Sequence, residues 1–247
     1  MLLIDAGNTF VKWQQFSPSD FSKESSFGQF PLQEPQWEML HQQINRPLER
    51  IMVSSVAGEA FDQKLVKQCQ QHSAAPVQLL QSPNEFLQLK NSYFEPERLG
   101  IDRWLAMLAV WRETSQGFCL IDCGSAVTVD VVDGQGQHSG GLITPGLEMM
   151  RQSLFGGTGR VDRRPSEDSR QSFLACSTFH AVQGGTLYSL VSYIDRIVDE
   201  IQATYGELNC VITGGDAEQL VSLLKQSFQM EKGLVFRGLK IFATHSE

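Results

Sequence analysis

The chain has 247 residues, of which 41% are hydrophobic, and it carries a formal net charge of −8 at pH 7 with a pI of about 5.2. This length accommodates one large domain or two of moderate size, with enough apolar side chains for a real core. The acidic balance argues against binding to nucleic acid or to anionic lipid. The five cysteines are scattered without a Cys-x-x-Cys pair, which argues against a disulfide framework or a structural zinc site.

No apolar run approaches the roughly 18 residues of a membrane span. The first residues already predict a motif-bearing strand, which leaves no room for a signal or transit peptide. Together with the cysteine pattern, these features lead us to expect a cytoplasmic protein without a membrane partner.

Taken in chain order, the first half opens on residues 3–9 (LIDAGNT), which predict a strand, a tight turn and a returning strand. Residues 17–36 are polar and predict irregular structure or an edge strand. Hydrophobic periodicity then predicts helices and strands in alternation, giving the order β-β-α-β-α-β. The elements after the first hairpin are a helix at 34–45, a strand at 50–56, a helix at 58–72 and a strand at 77–80.

The middle of the chain predicts a loop at 91–98 and an apolar helix that begins at 99–103 and runs to about 112, bridging the two halves. Residues 120–126 (LIDCGSA) then repeat the opening motif, with four of seven positions identical at an offset of 117 residues, from Leu3 to Leu120. The repeat predicts two similar domains, residues 1–114 and 115–247.

The rest of the second half follows the same scheme. Pro145 and Gly146 end a strand and start a helix, and a polar, glycine-rich and charge-rich stretch at 156–171 is a candidate lid. The predicted elements are strands at 118–122, 127–132 and 139–144, helices from 146 to 154 and from 177 to 204, a strand at 209–213, a helix to 225 and a last strand at 234–242.

Each copy of the repeated motif places a carboxylate beside a glycine turn. Such a turn can hold phosphate oxygens through its N–H groups while the Asp orients a cation or a cation-bound water. A single Asp-x-Gly is also common in ordinary β-turns, because Asp caps turns and Gly supplies positive φ. Two copies favour the functional interpretation, since the strand ends of two similar halves could face one another across a cleft.

Other signals allow two interpretations each. Asp102 and Arg103 could serve as a proton acceptor and a carboxylate-binding cation, or as ordinary residues of a helix start. Lys12 could reach a phosphate or face solvent, and the turn Gly214-Gly215-Asp216 could approach a nucleotide or cap a helix. The five histidines show no metal-ligand spacing, and the chain lacks both G-x-x-x-x-G-K-[ST] and G-x-G-x-x-G after a strand.

Five motifs occur in a fixed order: DAGNT at 5–9, GIDR at 100–103, DCGSAVTVD at 122–130, GGLITPG at 140–146 and TGGDA at 213–217. With this set the chain resembles the type III pantothenate kinases of the actin-like, sugar-kinase-like ATPase superfamily, over essentially its whole length. The resemblance implies an α/β fold of two tandem actin-like (ribonuclease H-like) domains, with mixed sheets flanked by helices and a nucleotide cleft between them. It also implies a homodimer that transfers the γ-phosphate of ATP to pantothenate, the first step of coenzyme A synthesis.

The resemblance also assigns roles by position. Asp102 matches the catalytic base, Asp122 the ligand of an activating potassium or ammonium ion, and Asp5 the residue that orients Mg²⁺. The nucleotide-binding positions are Asp5, Ala6, Gly7, Asn8, Thr9, Phe10, Val11, Lys12 and Ser125. The pantothenate-binding positions are Tyr93, Gly100, Ile101, Asp102, Arg103 and Thr178. Where the family usually has Thr, this chain has Ser125, which keeps the hydroxyl and loses a methyl group.

Two other functions are compatible with the sequence. An actin-like kinase could act on another small hydroxy acid, although Tyr93 and Arg103 favour an acceptor that carries an acid group. A non-catalytic nucleotide-binding regulatory protein, like the accessory factors described among relatives, should show eroded phosphate or base motifs. Asp5, Asp102 and Asp122 are all present, which favours the enzyme.

Overall fold

The computed structural model describes residues 1–17, 25–44, 47–157 and 174–245. By contacts the chain divides into two compact units, the first made of Met1–Ser115, Gln135–His138 and Gly233–Glu247, the second of Gln116–Gly134 and Ser139–Lys232. The division into domains 1–114 and 115–247 stays a prediction. In the structure, two segments of the predicted second domain belong to the first unit: residues 135–138 and the C-terminal segment from 233 onwards.

The described part of the chain contains strands and helices in an alternating order. In sequence they are β1 (Leu2–Ala6), β2 (Phe10–Gln15), β3 (Ser25–Pro31), α1 (Trp37–Ile44), β4 (Ile51–Ser55), α2 (Glu59–His72), β5 (Val77–Leu79), β6 (Glu85–Phe86), β7 (Leu89–Lys90), a 3₁₀ turn (Pro96–Arg98), α3 (Ile101–Thr114), β8 (Phe118–Cys123), β9 (Ala126–Val132), β10 (His138–Pro145), α4 (Leu147–Gly157), α5 (Thr178–Tyr205), β11 (Asn209–Thr213), α6 (Ala217–Val221), β12 (Gln229–Met230) and α7 (Leu234–His245).

The first unit is built on a five-stranded mixed sheet with the order β3-β2-β1-β4-β5. β1 pairs antiparallel with β2 and parallel with β4, so it lies at the centre. The side chains of Leu2 and Ile4 in β1 pack into a core with α1 and α2. The helices α3 and α7 also contact the sheet. Leu3 is equally buried. A strand covered on both faces reads as a continuous apolar run, which is why LLI precedes the motif Asp.

The second unit repeats this arrangement. Its sheet has the order β10-β9-β8-β11-β12, with β8 antiparallel to β9 and parallel to β11. The core lies between β8, β9 and β11 and the helices α4, α5 and α6. The 117-residue repeat is thus a repeat of the strand order of a whole sheet, and β8 is the counterpart of β1. Mixed sheets flanked by helices confirm the predicted fold class.

The predicted last strand at 234–242 is wrong, because this segment is the helix α7. Its buried residues are Leu234, Gly238, Leu239 and Ala243, at the spacing of one helical face. A Cβ on Gly238 would lie 2.1 Å from the carbonyl oxygen of Leu105 in α3, so the glycine allows the two helices to cross closely. Aromatic side chains on other faces of α7, Phe236 and Phe242, contact rings in β3 and β6, and these hid the helical period.

The other predicted elements are present with shifted ends. The stretch 17–36 contains the edge strand β3, and the helix predicted to reach residue 225 ends at Val221. Of the candidate lid at 156–171, residues 156 and 157 end α4, and the remainder lies outside the described residues. No helix in the described ranges combines the length and apolar character needed to cross a membrane.

Candidate active site

The first motif turn places a carboxylate and an amine on neighbouring strands. Asp5 is half-buried near the end of β1, where its Oδ1 accepts a hydrogen bond from Ser54 Oγ of β4 at 3.2 Å. Lys12 is directly opposite Asp5 in the β1–β2 register, and side chains of such a pair lie close together. Asp5 could therefore orient a cation that is bound to a phosphate group, while Lys12 contacts the same phosphate group.

The turn between β1 and β2 is fixed by backbone hydrogen bonds. Gly7 N–H donates to the Phe10 carbonyl at 3.0 Å, and the Thr9 carbonyl accepts from Leu32 at 2.8 Å. Asn8 and Thr9 are exposed, whereas the side chains of Ala6 and Val11 are fully buried in the core. Ala6 and Val11 could therefore meet a nucleotide only through their backbone atoms.

The GIDR motif forms the start of α3. Gly100 is the N-cap residue, and Asp102 Oδ1 accepts a hydrogen bond from the Arg103 backbone N–H at 2.8 Å. A Cβ on Gly100 would lie 2.6 Å from Asp102 Oδ1, so glycine at this position leaves room for the carboxylate. The Ile101 side chain is buried. The charge of Asp102 lies in the first turn of α3, where the helix dipole stabilises an anion.

The structure brings together Tyr93 and Arg103, two residues that the resemblance assigns to the acceptor site. Arg103 is 8% exposed, and its Nη1 donates to the phenol oxygen of Tyr93 at 3.1 Å. Tyr93 is held in turn by Asn91, whose Oδ1 accepts from the Tyr93 N–H at 3.0 Å. A nearly buried guanidinium next to a phenol is suited to a ligand carboxylate, since both can donate to it.

Sequence reasoning gave no role to His138, yet it lies beside Tyr93. The two rings are nearly parallel, with centroids 6.2 Å apart, and His138 is fully buried. No local pattern signalled this contact, because the two residues meet only through tertiary folding.

The second motif turn joins the equivalent strands but is one residue shorter, since the Gly124 N–H donates two residues ahead whereas the Gly7 N–H donates three residues ahead. Asp122 is half-buried near the end of β8, opposite Thr213 of β11 and Thr128 of β9. The Gly124 N–H closes the turn by donating to the Ala126 carbonyl at 3.1 Å. Thr213 corresponds to Ser54 of the first unit, which likewise faces the motif Asp across a parallel pair.

Two glycines allow other motifs to contact this turn. A Cβ on Gly146 would lie 2.2 Å from the carbonyl oxygen of Gly124, and one on Gly214 would lie 2.3 Å from that of Cys123. Gly146 N–H donates to the Ser125 carbonyl at 3.0 Å. The motifs TPG at 144–146 and TGGD at 213–216 thus both contact the DCGS turn, the first at the Gly124 and Ser125 carbonyls and the second at the Cys123 carbonyl and the Asp122 carboxylate.

Burial raises the pKa values of two groups at this turn, the thiol of Cys123 and the carboxyl of Asp216. Burial, reinforced by the charges of Asp122 and Asp216, raises the pKa of the Cys123 thiol to about 12, so Cys123 is not a nucleophile near neutral pH. Burial also raises the pKa of Asp216, while Arg151 and a hydrogen bond from Gln219 oppose that shift. The sequence had indicated the GGD turn, but Asp216 was not among the predicted site residues.

Thr178 is the exposed first residue of α5, following the N-cap Ser177, and belongs to the second unit. Among the described residues, no group of three or more His, Cys, Asp or Glu side chains could hold a metal ion. A cation would then depend on single carboxylates together with carbonyl oxygens, substrate phosphates and water.

Comparison with solved structures identifies the fold class. A Sinorhizobium meliloti protein provisionally named a 2-dehydro-3-deoxygalactonokinase matches with a TM-score of 0.64 and 10% identity, covering 100% of this chain and 99% of that one. A Campylobacter jejuni protein provisionally named a Baf family transcriptional activator matches with a TM-score of 0.60 and 21% identity, covering 98% and 96%. At these identities the likeness concerns the fold alone, which is the actin-like, sugar-kinase-like fold.

Sequence comparison then gives the family. The type III pantothenate kinase family profile matches residues 1–200. Proteins named type III pantothenate kinase from Nitrosococcus oceani, Marinobacter nauticus and Alcanivorax borkumensis are 33%, 35% and 31% identical to this chain. The alignments cover 97%, 99% and 100% of this chain and 92%, 98% and 100% of those proteins. The chain belongs to the type III pantothenate kinase family.

Proposed function

We propose that this protein transfers the γ-phosphate of ATP to the hydroxyl of pantothenate, the first step of coenzyme A synthesis. The observation that carries this proposal is the arrangement around the start of α3, where Asp102 is adjacent to the nearly buried Arg103 and Arg103 is hydrogen-bonded to Tyr93. A carboxylate base beside a carboxylate-binding pair fits an acceptor that carries both a hydroxyl and an acid group.

In this proposal Asp102 is the catalytic base. It accepts the proton of the acceptor hydroxyl as the oxygen attacks the γ-phosphorus, and the bond from phosphorus to the β,γ-bridging oxygen breaks. Phosphoryl transfer needs in-line positioning and charge neutralisation more than covalent help from the protein. Arg103 and Tyr93 bind the acceptor carboxylate, and Gly100, Ile101 and Thr178 complete the acceptor site.

The first motif turn binds the triphosphate. Asn8, Thr9 and Lys12 donate to phosphate oxygens, the rest of the segment 5–12 lies along the triphosphate, and Ser125 of the second turn contacts the nucleotide. Asp5 orients bound Mg²⁺, whose charge would lower the energy of the transferring phosphoryl group. Asp5 fits this task because it is half-buried, ordered by Ser54, and opposite Lys12.

Asp122 is the proposed ligand of a monovalent cation, potassium or ammonium. Its carboxylate lies close to the carbonyl oxygen of Cys123, since both are within 2.6 Å of one point, the position of a Cβ on Gly214. Carboxylate and carbonyl oxygens are the ligands that hard cations prefer. With one carboxylate and one carbonyl oxygen, the site suits a singly charged cation, which needs few negatively charged ligands from the protein.

We further propose that the protein acts as a homodimer in the cytoplasm, where ATP is available. Several large apolar side chains of the second unit are exposed, among them Ile143 of β10 at 63% and Tyr188 of α5 at 50%. Exposed apolar side chains of this size are often covered in an assembly. Light scattering coupled to size-exclusion chromatography measures the mass directly, and a monomer at micromolar concentration would contradict this part of the proposal.

The test is ATP-dependent phosphorylation of pantothenate by the purified protein with Mg²⁺, with potassium, ammonium or sodium as the only monovalent cation. Activity that requires potassium or ammonium, and that Asp122→Asn makes indifferent to the cation, supports both the substrate and the cation site. Activity indifferent to the cation in the unaltered protein keeps the kinase and removes the role of Asp122. Absence of activity in every salt would favour a regulatory protein, whereas activity on other hydroxy acids alone would favour a different acceptor.

A further inference from the structure

His138 is the buried histidine that no part of the proposed mechanism uses. It is 0% exposed, and its Nδ1 is within hydrogen-bond distance of Ser92 Oγ, at 3.1 Å. Its ring is inclined by only 16° to the ring of Tyr93, with 6.2 Å between centroids. This distance and angle are typical of an offset stack, a favoured arrangement of two aromatic rings.

The backbone segment that carries His138 is firmly held within the first unit. Gly136 accepts a hydrogen bond from the Lys90 N–H at 2.8 Å, and Lys90 also bridges to Gln137 in a parallel pairing. A Cβ on Gly136 would lie 2.3 Å from the carbonyl oxygen of Gln88 and 2.8 Å from the Trp111 ring. Only glycine fits this close approach, at a φ of +77°.

A continuous path therefore leads from this fixed segment to the acceptor-binding pair. Ser92 orients His138, His138 packs against the face of Tyr93, and the Tyr93 oxygen accepts from Arg103 Nη1 at 3.1 Å. Asp102 directly precedes Arg103 in the chain, so the same path ends beside the proposed base. Groups that bind a substrate need support of this kind, because small displacements lower affinity and rate strongly.

We propose that His138 is a positioning residue for acceptor binding, which fixes the Tyr93 ring and, through its phenol oxygen, the Arg103 guanidinium. This inference rests on the proposed function, since it assumes that Tyr93 and Arg103 bind the acid group of the acceptor. His138 itself touches no reacting atom in this account.

The central experiment compares steady-state kinetics of the full-length protein and His138→Ala, with pantothenate and ATP varied separately. We expect the KM for pantothenate to rise roughly tenfold to a hundredfold, with the KM for ATP changed less than about twofold. His138→Phe keeps a ring against Tyr93 and should recover most of the loss. His245→Ala, a substitution of an exposed histidine at the end of α7, is the matched control and should leave both constants unchanged.

A second comparison separates positioning from a general structural role. In a Tyr93→Phe background the path through the phenol oxygen is already broken, so the effect of His138→Ala on the KM for pantothenate should largely disappear. If instead the effect keeps its full size in that background, or if both KM values rise equally, the inference is wrong.

Ser92→Ala gives an independent test if His138→Ala fails to fold. It removes the hydroxyl partner of His138 and should raise the KM for pantothenate in the same direction, by less. Unchanged kinetics in folded Ser92→Ala, with an unfolded His138→Ala, would make His138 a structural residue only. Failure of the unaltered protein to phosphorylate pantothenate would instead contradict the proposed function, before any variant is compared.

Discussion

Gly214 lies directly against Asp122, so that a Cβ on Gly214 would come 2.6 Å from the Asp122 carboxylate oxygen Oδ1 and 2.3 Å from the carbonyl oxygen of Cys123. Its φ of +100° is also one that other residues rarely adopt. In the first unit, Ser55 follows Ser54 where Gly214 follows Thr213. Glycine at 214 thus lets the chain after β11 lie directly against the motif turn, at the place proposed for the monovalent cation.

This contact predicts that Gly214→Ala lowers stability and disturbs the cation site. The backbone strain alone is worth about 1–3 kcal/mol, and the clash with the Cys123 carbonyl adds to it. Urea unfolding measures the loss, and the potassium concentration for half-maximal activity should rise. Gly215→Ala is the matched control, since a Cβ there meets nothing within 4 Å. Equal stability of the two variants would show that the close approach is not needed.

Replacing the proposed base should separate binding from turnover. Asp102→Asn keeps the size of the side chain and removes its ability to accept a proton, so kcat should fall by roughly two to four orders of magnitude. ATP binding, measured by calorimetry, should stay largely intact. Glu97→Gln, in the nearby exposed 3₁₀ turn, should behave like the unaltered protein. Unchanged turnover in Asp102→Asn would remove Asp102 from this role.

Much of the fold was predictable because its signals are local. The two hairpins β1–β2 and β8–β9 each follow from an apolar run, an Asp and a glycine turn, and α5 begins directly after Ser177, where the helix was predicted to start. Even the equivalence of the two sheets was visible, as an identity of four residues at an offset of 117. In these segments periodicity and turn chemistry predict the same structure.

The parts that were missed depend on contacts distant in sequence. The apolar run at 234–242 predicts a strand, because Phe236 and Phe242 hide the helical period. The helix is instead held by a contact distant in sequence, the close crossing at Gly238 and Leu105. The pairing of Ser92 with His138 joins residues 46 positions apart, and no pattern in either segment indicates it. The resemblance assigned both Tyr93 and Arg103 to the acceptor site, whereas it gave no role to His138.

The buried guanidinium of Arg103 predicts that lysine cannot replace it. A planar guanidinium can donate to Tyr93 and to a ligand carboxylate at once, whereas an ammonium cannot reproduce this geometry. We expect Arg103→Lys to raise the KM for pantothenate by roughly tenfold to a hundredfold, with less effect on the KM for ATP. Arg98→Lys changes an exposed arginine paired with Glu95 and should change little. Similar kinetics for the two variants would contradict acceptor binding by Arg103.

The acids of the α6 region predict opposite dependences of stability on pH. Burial raises the pKa of Asp216 in the folded protein above its unfolded value of about 3.9. The folded state therefore binds more protons than the unfolded state between these two values, and stability falls as the pH rises through that interval. Asp216→Asn should remove this dependence, so that the variant gains stability relative to the unaltered protein as the pH rises from 4 to 8.

Glu218, two residues further on, is the matched control with the opposite sign. A hydrogen bond and charge attraction from Lys232 lower the pKa of Glu218, so its contribution is present above the unfolded pKa and is lost as the pH falls through the folded one. Because the pair is on the surface, the effect of Glu218→Gln should be small and should weaken with salt. Thermal unfolding of both variants between pH 4 and 8 measures the two slopes. If Asp216→Asn is instead less stable than the unaltered protein by more at pH 8 than at pH 4, then Arg151 and Gln219 outweigh the cost of burying Asp216.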